Sequence, residues 1–97
     1  MEIPSEIKIG PTVWQIELQD DLNESSDNCG VCLKSSNRIV IDSTQTLDEM
    51  EKTLLHELLH AMLDFAGVED DEKLTEEQMC ARLSPVLHMV LKENKVF

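Results

Sequence analysis

The feature that most constrains this chain is the pentapeptide H-E-L-L-H at residues 56–60, which lies within a long pattern of helical period. Because an α-helix turns by about 100° per residue, His56 and His60 share one face, roughly 6 Å apart along the axis. Two imidazoles in this relation can direct nitrogen atoms at one metal ion, at about 2.0–2.1 Å. Glu57 lies one step round the helix, where it can reach a metal-activated water without ligating the metal.

Apolar residues surround the motif and favour a helix. They are Leu54, Leu55, Leu58, Leu59, Met62 and Leu63. The segment Thr46-Leu47-Asp48-Glu49 is a capping-box pattern, and Gly67 is suited to end the helix. We therefore expect a helix from about residue 47 to Phe65. The alternative is a surface helix that carries two solvated histidines.

Two hairpins are predicted before this helix, and the alternative to the first is one strand broken by a turn. The alternating segments 7–9 and 12–18 flank Gly10-Pro11, which is typical of a turn. Residues 30–34 form a weak strand pattern, and the β-branched residues 38–42 form a stronger one after a turn at 35–37. The first part of the chain is therefore expected to form a small, mainly antiparallel sheet.

A second helix is predicted at the end of the chain. The pattern Thr75-Glu76-Glu77-Gln78 is a second capping box, and the helix should run to about residue 93, with Pro85 as a residue that could kink it. Its expected apolar stripe consists of Met79, Leu83, Val86, Leu87, Val90 and Leu91. The fold class is then α+β, with the sheet packed against the motif helix and this C-terminal helix.

Length and charge limit the number of domains and the classes of binding partner. Ninety-seven residues form one domain, residues 1–97, and the formal net charge of −12 opposes binding to nucleic acid or to an anionic membrane surface. No apolar run approaches the roughly 20 residues of a membrane span, and the N-terminus lacks a signal-peptide pattern. Three cysteines in such a chain are expected to be reduced, which favours a cytoplasmic location.

A catalytic zinc site normally has three protein ligands, so a further ligand is needed. Ala66 occupies the position of the third histidine of metzincins and Leu63 that of their glycine, which excludes that arrangement. The remaining candidates are Glu72, Glu76 and Glu77, near the start of the last helix. Glu76 heads the apolar stripe. Glu77 heads a stripe of small residues, which would let two helices approach closely; these are Cys80, Ala81 and Ser84. This favours Glu77 as the third ligand, with Glu76 as the alternative.

The chain resembles the gluzincin-type zinc peptidases, and among them the minigluzincins and small phage or bacterial metallopeptidase-like proteins. The resemblance covers roughly residues 38–94 and depends on segments 38–42, 54–61 and 77–84. Relatives place small residues three and seven positions after the ligand glutamate, as Cys80 and Ser84 follow Glu77. The resemblance implies a minimal zincin-like domain with Zn²⁺ bound by His56, His60 and Glu77, and with Glu57 as the general base.

The same resemblance implies a peptide or protein substrate, held in extended form by edge pairing with strand 38–42. Larger gluzincins carry an Asp where this chain has Ala81, so Asp64 is either the substitute partner of a zinc-bound histidine or an exposed carboxylate. They also use a Tyr or His on the oxyanion. This chain has no Tyr, and His88, about 16 Å along the helix from Glu77, is expected on the surface.

The expected function is a zinc-dependent peptidase, active, latent or narrow in specificity. The alternatives are a zinc-stabilised interaction module with little turnover and a metal-dependent hydrolase of a non-peptide bond.

The C-x-x-C at Cys29 and Cys32 lacks both a second pair and a helix start, so neither structural zinc nor redox function is favoured. Cys80 is expected to be a small buried residue, and Val96-Phe97 either covers the cleft or frays.

Overall fold

A computed structural model of the protein describes residues 3–20, 22, 29–68, 70 and 73–94. It confirms the α+β class, with four strands followed by two helices. Glu72 and the pair Val96-Phe97 lie outside the described residues. The elements are β1 (Glu6–Ile9), β2 (Thr12–Gln19), β3 (Gly30–Leu33), β4 (Arg38–Asp42), α1 (Leu47–Ala66) and α2 (Glu76–Glu93).

The strands form one mixed sheet in the order β1-β2-β4-β3. The pairs β1–β2 and β3–β4 are antiparallel hairpins, as predicted. The pair β2–β4 is parallel, with Ile16 opposite Ile39, and the sequence did not indicate it. The β-branched side chains of Ile39 and Ile41 are fully buried, which explains why β4 takes a central place.

This central place makes one expectation wrong. β4 cannot hold a peptide by edge pairing, because β2 pairs with one of its sides and β3 with the other. The outer strand on that side of the described sheet is β3, which packs against α1. Any strand addition next to α1 would therefore involve β3.

The core lies between the sheet and α1. Burial of each large apolar side chain there favours folding by about 1.5–3 kcal/mol relative to exposure. Thr46 caps α1 by accepting the Glu49 N–H at 3.2 Å, and Gly67 ends the helix with φ 76°. This positions α1 with its motif across the sheet. The buried core cluster consists of Trp14, Ile16, Ile39, Ile41, Leu54 and Ala61.

The second helix packs on α1 with a face that the apolar pattern did not predict. Its buried residues are Cys80, Ser84 and His88, each four positions apart. Predicted stripe residues Leu83, Val86 and Val90 are instead 50 %, 53 % and 43 % exposed. Small side chains let α2 lie close to α1, so close approach and polar contacts outweigh the burial of the larger residues. The helix continues through Pro85.

His88 is a second correction. It was expected on the surface, but it is only 5 % exposed. Its Nε2 lies 3.1 Å from Oε1 of Glu51, a carboxylate on α1. A partner 37 residues away cannot be seen in the sequence, and it offsets the cost of burying the imidazole. No helix in the described ranges has the length and apolar character of a membrane span.

Candidate metal centre

Three potential metal ligands meet where the middle of α1 faces the first turn of α2. His56, His60 and Glu77 place one nitrogen or oxygen atom each within 4.8 Å of one another. The helix spacing brings the two imidazoles together, with ring centroids 5.1 Å apart. The Thr75–Gln78 capping box fixes the first turn of α2, and that turn carries Glu77 to the histidines.

The Glu77 carboxylate spans both histidines. Its Oε1 lies 2.9 Å from Nε2 of His56, and its Oε2 lies 2.7 Å from Nε2 of His60. Donors bound to tetrahedral zinc at about 2.1 Å lie roughly 3.4 Å apart, so small side-chain rotations would open enough space for the ion. Two imidazoles and one carboxylate form the His₂Glu set of catalytic zinc sites. The residues present therefore fit zinc.

Glu76 occupies the other side of the His60 ring. Its Oε1 lies 2.6 Å from Nδ1 of His60 and 3.1 Å from Nζ of Lys34. The two ring nitrogens point in different directions, so a carboxylate on Nδ1 cannot share a metal with Nε2. The geometry separates the two glutamates that the sequence left as alternatives: Glu77 faces Nε2 of both histidines, and Glu76 faces Nδ1 of His60.

Asp64 does not take the place considered for it. Its side chain is 56 % exposed and its Oδ1 lies 3.8 Å from Nζ of Lys34. The carboxylate beside an imidazole of the candidate site is that of Glu76 instead. Asp64 follows His60 by one turn and lies near Lys34, not at the ring nitrogen of His60.

The site opens into a cleft of about 650 Å³ between β3, α1 and α2. Glu57 lies on its wall and is buried, beside Gly30 at the start of β3. A Cβ on Gly30 would come within 2.5 Å of Thr53 Cγ2 and 3.4 Å of Glu57 Cγ. The glycine therefore lets the outer strand approach the motif closely.

Comparison with known proteins leaves the family open. No protein-family model matches this chain, and no curated protein or solved structure matches it with statistical significance. The resemblance to gluzincins stays a prediction from the sequence.

The electrostatics of the site follow from burial and from these hydrogen bonds. Burial raises the pKa of Glu57 above its usual range, although the two histidines oppose the rise. Burial lowers the pKa of His60, but its bonds to Glu76 and Glu77 outweigh burial and raise it overall. The bond to His60, and then the ammonium of Lys34, hold the pKa of Glu76 below its usual value. The site thus places two carboxylates, those of Glu76 and Glu77, around His60, and beside them the buried carboxylate of Glu57, which holds a proton more readily than usual.

Two cysteines line the cleft but do not form a redox pair. Cys29 directly precedes β3 and Cys32 lies within it. Three steps along an extended chain separate their Cα atoms by roughly 10 Å, beyond the limit of about 7 Å for a disulfide. Burial, with Glu57 nearby, raises the pKa of Cys32 to about 11, so its thiol stays protonated at neutral pH. Cys80 is fully buried, as predicted.

Sequence reasoning missed two contributors to the site. Lys34 follows β3 and reaches Glu76 across 42 positions of the chain. Gly30 was assigned only to a weak strand, and its role in the close approach of β3 to the motif is evident only from the packing of α1 against β3. Neither residue carries a local pattern that could have indicated its place. The position of Glu77 agrees with the small-residue argument, since Cys80 and Ser84 are buried on the same face of α2.

Proposed function

We propose that this protein is a zinc-dependent peptidase, in which His56, His60 and Glu77 hold the metal. The observation that carries the proposal is the convergence of these three donors beside the buried carboxylate of Glu57, in a cleft bordered by the outer strand β3. When bound, zinc would supply a Lewis acid that lowers the pKa of water to near 7.

Glu57 acts as the proton carrier. Its carboxylate accepts a proton from the attacking water and then donates it to the nitrogen of the leaving amine. A carboxylate with a raised pKa suits both steps, because it holds the proton between them, and burial raises the pKa of Glu57. Glu57 adjoins His56 in sequence, so α1 fixes its place relative to the metal.

The substrate is an extended peptide that adds to β3. Strand addition uses the main-chain N–H and C=O groups of an outer strand, and β3 is the strand of the described sheet that adjoins the site. The close approach at Gly30 brings this strand next to Glu57. We place the activity in the cytoplasm, because Cys29, Cys32 and Cys80 are free thiols and a reducing compartment keeps thiols free.

The test is Glu57→Gln, which retains the shape of the side chain but cannot carry the proton. We expect zinc content equal to that of the parent and a loss of at least about 100-fold in kcat/KM on a mixture of varied peptides read by mass spectrometry. His56→Ala is the control that should lose both zinc and cleavage. Cleavage by the Gln variant at the parental rate would refute the mechanism.

A second function is favoured by one observation. The second helix leaves Leu83, Val86 and Val90 about half exposed, so a metal shared by α1 and α2 would add to the contacts that hold the two helices together. In that case the protein is a zinc-stabilised interaction module with little turnover. One bound zinc per chain, unfolding on chelation and intact peptides after long incubation would favour this function over the peptidase.

A further inference from the structure

The turn after β3 is joined to the metal centre through two side chains. Lys34, in that turn, lies 3.1 Å from Oε1 of Glu76, and the same oxygen lies 2.6 Å from Nδ1 of His60. His60 and Glu76 are mostly buried, whereas Lys34 is about two-fifths exposed. Three elements, the β3–β4 turn, α1 and α2, therefore meet at one carboxylate oxygen.

This arrangement gives Glu76 a different task from Glu77. A carboxylate on Nδ1 fixes the proton of a neutral imidazole there and leaves the lone pair of Nε2 for a metal. It also fixes the ring plane, so that the Nε2 of His60 stays directed at the metal position. Because Glu76 and Glu77 begin α2, one capped turn delivers both carboxylates to the two sides of the same ring.

We propose that Glu76 is the positioning residue for His60 and that Lys34 holds Glu76 in place, so that the β3–β4 turn takes part in metal affinity. The proposal rests on the zinc site proposed above. It assigns to Glu76 the role considered for Asp64, which touches the same lysine at 3.8 Å from a more exposed position.

The experiment measures zinc affinity by competition with a chromogenic chelator, and the midpoint of thermal unfolding of each metal-free variant. Glu76→Ala should weaken zinc binding by about 10- to 100-fold, the usual effect of losing such a partner. Glu76→Gln should lose less, because its amide oxygen still accepts from Nδ1. Lys34→Met should weaken binding by roughly threefold, since it acts one step further from the metal. Asp64→Asn is the matched control and should bind as the parent does.

Cobalt distinguishes a positioning residue from a ligand. The Glu76→Ala variant, saturated with Co²⁺, should keep the visible absorption of the parent, because the three ligands are unchanged. Glu77→Ala should lose or shift that absorption. A changed cobalt spectrum in Glu76→Ala would make Glu76 a ligand and would overturn the proposal.

Other outcomes separate this inference from the site itself. If Glu77→Ala weakens zinc binding and Glu76→Ala does not, the site stands and the positioning role is wrong. A lower unfolding midpoint of metal-free Glu76→Ala with unchanged zinc affinity would show a purely structural role and would also overturn the proposal. If neither Glu77→Ala nor His56→Ala weakens zinc binding, the zinc site and this inference both fail.

Discussion

Two histidine–carboxylate clusters join α1 to α2, and they differ in what they can bind. The metal cluster is His56, His60 and Glu77; the ion-pair cluster is Asp48, Glu51 and His88. In each, three potential ligand atoms lie within 4.8 Å of one another. By residue type alone, either cluster could hold a divalent ion.

Their surroundings distinguish them. In the ion-pair cluster, Nζ of Lys92 lies 3.1 Å from Oε1 of Glu51, a carboxylate that is 0 % exposed. Lys52 lies 3.6 Å from Oδ2 of Asp48. Burial raises the pKa of Glu51, but hydrogen bonds to His88 and Lys92 outweigh burial and lower it overall. A metal would have to displace a cation that is already in place.

Beside the metal cluster, the lysine contacts neighbouring carboxylates: Lys34 pairs with Glu76 and Asp64. Glu77 faces the cleft with a side chain that is 66 % exposed. The comparison teaches that ligand type does not define a metal site. The position of the nearest ammonium and access from solvent make the metal cluster the better candidate for coordination and the ion-pair cluster the better candidate for a structural ion pair.

The largest expected effect is stabilisation by zinc. At a free zinc concentration about 1,000 times Kd, the parent should gain about 4 kcal/mol in free energy of unfolding. His56→Ala should lose this gain entirely. His88→Ala should keep the gain, although its metal-free form should be less stable than the metal-free parent. Denaturant titrations with and without zinc measure both. If His88→Ala abolished the gain and His56→Ala kept it, the two clusters would have been assigned in reverse.

The next effect concerns the metal-free protein. Glu51→Ala should lower the free energy of unfolding by about 3 kcal/mol, because it leaves the buried imidazole of His88 and the partly exposed ammonium of Lys92 without this carboxylate. Glu77→Ala should change it by less than about 0.5 kcal/mol, since Glu77 is largely exposed. Glu49→Ala, an exposed change on the same turn of α1 as Glu51, is the control. Equal costs for Glu51→Ala and Glu77→Ala in urea titrations would remove the distinction between the clusters.

The smallest effect is a difference in pH dependence in the metal-free protein. The raised pKa of His60 gives stability that is fully present below pH 6.5, the ordinary pKa of histidine, and is lost as the pH rises through the raised pKa of the folded state. The lowered pKa of Glu51 gives stability that is present above 4.5 and lost as the pH falls through the lowered value. His60→Gln should flatten the loss of stability at alkaline pH, and Glu51→Gln should flatten the loss of stability at acid pH. Both are read from the midpoints of urea unfolding across about pH 3 to pH 9. The opposite assignment of the two declines would contradict the description of both clusters.

Local patterns predicted the elements because their causes are local. The caps Thr46 and Thr75 lie within three residues of the backbone groups that they bind, and each helix begins where they indicate. The two hairpins likewise follow from turn residues and alternation. The parallel pairing of β2 with β4 was not predicted, because it depends on which strand buries both faces and not on the turn between neighbours.

The sequence by itself determined that His56 and His60 share a helix face and that Glu57 lies next to them, because the period of an α-helix fixes residues four apart. It also limited the candidates for a third metal donor to the glutamates near the start of α2. Only the tertiary structure decided the rotation of α2 about its axis. That rotation buries Ser84 and His88, leaves Leu83 exposed, and directs Glu77 and Glu76 to opposite sides of one imidazole, a result of contacts between residues far apart in the chain that hydrophobic periodicity does not encode.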